Sequence, residues 1–269
     1  MHYIALISDL HILESGHALN GVPTDQQTRR LVSQLASETV PLAAIVCLGD
    51  LADTAENPVR SAAVATSDSY RHAQALLEPL HAPLHIIPGN HDAPELLAQY
   101  FPPHWHMHSD GVSTLRVGSY TLIALDLRTG PEPTGFIPSD MVARCNEVLA
   151  STDRSIILSH YPLVTLDNPR IAGSLSVTNQ ELFTPLLRRN RGKIIACFHG
   201  HLHLSVTARS AEALSIGVPS ASFMFDLAPA SHVKESISSD SCGYLILGLS
   251  DDGCLSVWPR WLPNATRSR

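Results

Sequence analysis

Apolar residues along this chain fall into short runs, and each run stops at a turn residue followed by a polar group. Residues 3–7, 43–48, 84–87, 155–158 and 193–198 are the clearest cases. Short apolar runs bounded in this way read as buried strands. Between them the spacing turns helical. Thr24-Asp25-Gln26-Gln27 predicts a capping box, opening a helix that carries Leu31 and Leu35. Further helices are expected over residues 69–80, after Pro94, over 141–149 with Pro138 at the first turn, and over 182–189. The last of these stands behind a second capping box, Thr178-Asn179-Gln180-Glu181. Residues 113–117 and 120–126 flank Gly118-Ser119 as a hairpin.

From Leu204 the pattern changes to short runs at 205–209, 213–216, 243–249 and 254–258, read as antiparallel strands with no helix between them. The layout is βαβα alternation with a β-rich end. It predicts an α/β (α+β) fold in which helices cover a mixed sheet or a pair of sheets. One domain over residues 1–269 is expected, with residues 204–269 completing it. Residues 53–68 and 226–241 lack periodicity and are read as long loops, candidates for substrate contact.

The five runs deliver a particular chemistry. They end in Asp9-Leu10-His11, Gly49-Asp50, Gly89-Asn90-His91-Asp92, Ser159-His160 and Gly200-His201-Leu202-His203. Open α/β sheets place their sites at the carboxyl ends of strands, so these side chains are expected to converge. Residues two apart at a strand end point the same way, which lets Asp9 and His11, or His201 and His203, share one ion. Asp50 follows a glycine, where its carboxylate is free to bridge. With Asn90 and His160 added, the seven groups offer mixed oxygen and nitrogen donors. That set suits two divalent or trivalent transition-metal ions, Mn, Fe, Co or Zn, and suits neither an all-oxygen calcium cage nor a thiolate zinc site. The reaction class implied is metal-assisted hydrolysis.

Composition narrows the substrate. The formal net charge is −7 with no lysine-rich or arginine-rich run, so an extended nucleic-acid surface is not expected. A small anionic substrate remains compatible, because bound cations dominate the local field. No apolar stretch approaches the ~18 residues of a membrane span, and residues 1–4 lead straight into a strand without the basic segment of a signal peptide. The five cysteines, Cys47, Cys145, Cys197, Cys242 and Cys254, form no CxxC pair, and a reduced cytoplasmic protein is expected.

In this order the motifs resemble those of the calcineurin-like metallophosphoesterase superfamily, D-x-H, G-D, G-N-H-[DE], H and G-H-x-H. The resemblance covers the whole chain and leaves no core ligand missing. It implies a four-layer αββα sandwich of two mixed sheets flanked by helices. It also implies one ion held by Asp9, His11, Asp50 and His203, and a second by Asp50, Asn90, His160 and His201. Within the superfamily the chain is similar to bacterial class III cyclic-nucleotide phosphodiesterases and the related glycerophosphodiesterases. Three features carry this: its compact length, the loop reaching Gly21 before the first helix, and Phe225-Asp226-Leu227-Ala228-Pro229 after the last motif. Ser159-His160-Tyr161-Pro162 stands where His-His-Pro-Pro is common, which leaves substrate preference open.

The expected reaction is hydrolysis of a small phosphodiester, 3′,5′-cyclic nucleotides first, with glycerophosphodiesters close behind. A hydroxide bridging the ions would attack phosphorus in line. Asp50 and His91 are the expected catalytic residues, His91 standing at the rim to bind the phosphate or protonate the departing oxygen. Asp92 is expected to orient its loop or His91, and Asp53 to be a loop or cap residue. His199 is read as a core residue, and His104-Trp105-His106-Met107-His108 as a surface loop or lid. The rival readings are another phosphoesterase (a phosphomonoesterase or protein phosphatase), a nuclease and a non-catalytic scaffold. Scaffold members usually show substituted ligands, and here every ligand is kept.

Overall fold

Neighbouring side chains on a strand point to opposite faces, so an unbroken apolar run has to be covered on both sides. The computed structural model describes residues 1–55, 65–102, 110–128, 133–168, 171, 175–210, 212–225 and 237–263. Its strands in chain order are β1 (His2–Ile7), β2 (Leu42–Cys47), β3 (Leu84–Ile86), β4 (Val112–Val117), β5 (Tyr120–Leu125), β6 (Ser155–Ser159) and β7 (Ile194–His199). They continue as β8 (Thr207–Arg209), β9 (Leu214–Gly217), β10 (Met224–Phe225), β11 (Ile237–Ser238), β12 (Gly243–Leu249) and β13 (Leu255–Trp261). The helices are α1 (Thr24–Ala36), α2 (Ser67–Leu77), α3 (Pro94–Tyr100), α4 (Ser139–Ala150) and α5 (Thr184–Arg189).

Two mixed sheets result, a five-stranded one in the order β13-β12-β1-β2-β3 and a six-stranded one in the order β4-β5-β6-β7-β9-β8. Alternation then assigns each side chain to a layer. Ile4, Leu6, Ala44, Val46, Ile156, Leu158, Ala196, Phe198, Leu245 and Leu247 form the apolar layer between the sheets. Ala5, Ile7, Ile45, Cys47 and Ile246 face the other way, onto Leu31 and Leu35 of α1 and Tyr70 and Ala73 of α2. Ile123, Ile157 and Cys197 face Met141, Cys145 and Leu149 of α4 and Leu186 of α5. The architecture is helices, sheet, sheet, helices, as the family resemblance implied. Among the described residues no helix is long and apolar enough to cross a membrane.

Local structure departs from the pattern at several points. Pro23, not Thr24, precedes α1, Thr24 is its first residue, and no side-chain cap forms there. The capping box lies instead at α2, where the Thr66 hydroxyl accepts from Ser69 N–H and the Ser69 hydroxyl accepts from Thr66 N–H. The second expected box is absent too, because the Asn179 amide is engaged with both backbone groups of Ile137 at 2.8 Å. Residues 182–189 divide into a 3-10 turn, Gln180–Leu182, and α5. Of the late strands, β8 and β9 are antiparallel to each other as expected, but β9 also pairs β7 in parallel. β12 pairs β1 and β13 pairs β12, each antiparallel to its neighbour, which completes the first sheet. The tract 104–108 and most of 226–241 lie outside the described residues, as do 56–64 within the first long loop.

Candidate metal centre

β1, β2, β6 and β7 run parallel to their sheet neighbours β2, β3, β5 and β6, so the segments that leave them emerge on one edge. There the chain takes a costly conformation. Asp9, His11, Asp50, His201 and His203 all have positive φ, between 46° and 66°, and Asn20 is the one further non-glycine case among the described residues. Left-handed backbone is uncommon outside glycine and costs of order 1–3 kcal/mol per residue. It persists here because the turns are pinned: Asp9 N–H donates to Gly49 O (3.0 Å) and His11 N–H to Asp50 O (2.9 Å). Ser220 and Ser222 hydroxyls both donate to Asp9 O, at 2.9 and 2.7 Å.

The glycines of the motifs permit this crowding. A Cβ at Gly89 would strike Asp50, one at Gly49 would strike His160, and one at Gly200 would strike the Ser8 hydroxyl. Close approach, rather than turn formation alone, explains why glycine precedes Asp50, Asn90 and His201.

Seven predicted ligands are brought together and buried. Asp9, His11 and His203 form one group with ligand atoms mutually within 4.8 Å; Asp50, His160 and His201 form another. His11 Nε2 faces His203 Nε2 at 3.1 Å, and His201 Nδ1 faces His160 Nε2 at 3.1 Å. Asn90 Oδ1 stands 3.1 Å from His160 Nε2. Asp50 Oδ2 lies between the groups, 3.6 Å from His11 Nε2 and 3.3 Å from His160 Nε2. Donors each about 2.1 Å from one ion stand roughly 3 to 3.4 Å apart, so this spacing fits shared cations. Asp9 supplies an independent sign. Its Oδ1 accepts from His201 N–H at 3.1 Å, while its buried Oδ2 finds no hydrogen-bond donor among the described residues. A carboxylate oxygen with that isolation fits a cation.

Electrostatics divide the ligands. Burial, with Asp50 nearby, pushes the Asp9 carboxyl up to about 6. Burial also acts on Asp50, yet His160, His91 and His11 hold it well below the usual carboxylate range. Burial lowers His160 and His91, but Asp50 and the other acceptors around each ring together raise both to about 9, so His160 has to give up a proton before it can hold an ion. Burial takes His201 down to about 3 and His203 well below its ordinary value, leaving both imidazoles neutral, as ligands must be.

Outer partners fix the rings. His160 Nδ1 is held by Leu48 O (2.7 Å) and His203 Nδ1 by Phe223 O (2.8 Å), which turns each Nε2 inward. His11 Nδ1 meets Asp53 Oδ2 at 3.0 Å, and the same oxygen lies 3.1 Å from His91 Nδ1. Asp53 is therefore a site residue, not the loop or cap residue the spacing suggested. Asp92 orients the loop, as expected, but not His91. It accepts from Leu51, Ala52 and Gly89 N–H and from the Tyr70 hydroxyl. His91 stands at the rim with its side chain 27% exposed, and its N–H donates to Asp50 Oδ1 at 2.9 Å. His199 is buried, hydrogen-bonded to Gly200 O and outside every candidate metal group among the described residues.

Comparison with known proteins agrees with this geometry. Residues 2–205 match the family model described as "Calcineurin-like phosphoesterase". A "Probable cyclic nucleotide phosphodiesterase" of Vesicomyosocius okutanii is 24% identical over 262 residues, covering 95% of this chain and 97% of that one. A 3′,5′-cyclic-nucleotide phosphodiesterase of Nostoc is 24% identical over 253 residues, covering 93% and 88%. Among solved structures, a dimetal phosphatase from Danio rerio superposes with a TM-score of 0.71 at 17% identity, covering 97% and 96%.

Proposed function

The chain belongs to the calcineurin-like phosphoesterase family and is a metal-dependent phosphoester hydrolase, and on that premise we propose that its substrates are small phosphodiesters, 3′,5′-cyclic nucleotides first among them. The observation that carries the dinuclear part of this reading is the position of Asp50 Oδ2 between the His11 and His160 nitrogens. Asp9, His11, Asp50 and His203 would hold one ion, and Asp50, Asn90, His160 and His201 the other. The donor set suits Mn, Fe, Co or Zn. Such ions polarise phosphoryl oxygens and lower the pKa of bound water toward about 7.

The remaining work falls to side chains. His91 stands beside the site with Nδ1 turned to Asp53, which leaves Nε2–H to bind a phosphoryl oxygen or protonate the departing alkoxide. Asp53 is hydrogen-bonded to the His11 ring at 3.0 Å and places its carboxylate charge 3.1 Å from His91 Nδ1. Phe225, half-buried and 4.7 Å from the His203 ring, offers an apolar wall next to the ligands. The reading takes residues 1–269 as one domain in the cytoplasm, where its free thiols stay reduced.

Substrate class is supported by what the relatives are named for, and a side-by-side assay tests it. Manganese-loaded enzyme should hydrolyse 3′,5′-cyclic AMP faster than a glycerophosphodiester, a phosphopeptide or single-stranded DNA. Preference for the phosphopeptide or the DNA would overturn the substrate reading while leaving the metal centre intact.

A further inference from the structure

The loop expected over residues 53–68 borders the site, and its two described ends meet on one side chain. Glu14 follows His11 by three residues. Its Oε1 accepts from Thr66 Oγ1 at 2.6 Å and from Thr54 Oγ1 at 3.3 Å, and its Oε2 accepts from Ala55 N–H at 3.0 Å. Burial would raise the Glu14 carboxyl, but these donors hold it below its ordinary range.

Each end so held lies one residue from a group that touches His91. Thr54 N–H donates to Asp53 Oδ1 at 2.7 Å, and Asp53 Oδ2 faces His91 Nδ1 at 3.1 Å. Ala65 N–H donates to His91 O at 2.9 Å, and Thr66 comes next in the chain. The Thr66 hydroxyl also accepts from Ser69 N–H at 3.2 Å, which caps α2. Glu14 thus reaches the side chain and the backbone of His91 by two short paths, and touches neither.

We propose that Glu14 is a positioning residue for the phosphoester reaction, clasping the Asp53 and Ala65 ends of the loop so that His91 is held at the rim of the metal centre. The inference rests on the role given to His91 above. Its physical basis is that hydrogen bonds to an ionised carboxylate are about twice as strong as neutral ones. Loop ends left free would let His91 drift, and a displacement of about 1 Å can cost on the order of 100-fold in rate.

Steady-state kinetics on bis-p-nitrophenyl phosphate with manganese-loaded enzyme test this, in wild-type and His91→Ala backgrounds. Glu14→Ala should lower kcat about 10-fold, the scale of a lost outer-sphere partner. Glu14→Gln keeps Oε1 for the two threonines and should recover most of the loss. In the His91→Ala background, Glu14→Ala should change kcat by less than about 2-fold, because the two substitutions act on one unit. In metal-free protein the His91 imidazole NMR signals should move in Glu14→Ala and return in Glu14→Gln. Should Glu14→Ala fail to fold, Thr66→Asp keeps a good helix cap while repelling Glu14, and it should show the same background-dependent loss. Equal losses in both backgrounds, or unmoved His91 signals, would overturn the clasp. Unchanged variants of an active wild type would overturn the clasp alone, whereas an inactive wild type would remove the reading beneath it.

Discussion

Asp9 sets binding against stability within one residue. It is fully buried, left-handed at φ 54°, and its Oδ2 has no donor among the described residues. Its carboxyl is raised from 3.8 to about 6 in the metal-free protein, so the folded state holds the proton more tightly than the unfolded chain. The stabilisation from that proton is complete below about pH 4 and gone once the pH passes 6. Asn at this position removes the buried charge. At pH 7.5, metal-free Asp9→Asn should therefore melt no lower than wild type, while its affinity for Mn²⁺ falls by at least about 10-fold. A clear drop in the metal-free melting temperature would show that Asp9 is kept for the fold. The seven candidate ligands were legible because their types and order carry the chemistry. Asp53 was not, since three residues past Asp50 is also ordinary loop spacing. The left-handed turn at Asp50 and the pairing of residues 51–53 with Ile12 bring its carboxylate to His11.

At the scale of elements, each motif is a strand end that another strand end has to approach closely. Gly200 shows the constraint most simply, because its backbone is not left-handed and the obstacle is steric: an added methyl would meet Ser8 Oγ and Leu48 O. Gly200→Ala should cost about 1–3 kcal/mol in urea unfolding, as overpacking does, and weaken metal binding by displacing Asp9. Wild-type stability and affinity would mean that the turn relaxes freely. The strands were readable because both their faces are apolar. The helix starts were misread at α1 and α5 for a shared reason: a Thr-x-x-Gln or Thr-x-x-Glu string is a cap only if its threonine lies just outside the helix. Pro23 takes that place at α1, and tertiary bonds to Gly135 and Ile137 occupy Thr178 and Asn179. The parallel pairing of β9 with β7 left no mark in the sequence, since a short apolar run does not specify its neighbour.

In the whole molecule, two sheets share one apolar layer and send their ligand-bearing segments to a common edge. A chain of net charge −7 thereby gathers two carboxylates, an amide and four imidazoles around a space that fits cations. In the proposed centre Asp50 would hold both ions, and the pair would supply the chemistry of phosphoester hydrolysis. Release of p-nitrophenolate from bis-p-nitrophenyl phosphate, followed as Mn²⁺ is titrated into metal-stripped protein, tests this most directly. Activity should rise to a break at two ions per chain and be absent from Asp50→Ala at every metal concentration. Hydrolysis without metal, a break at one ion, or activity that survives in Asp50→Ala would contradict this reading.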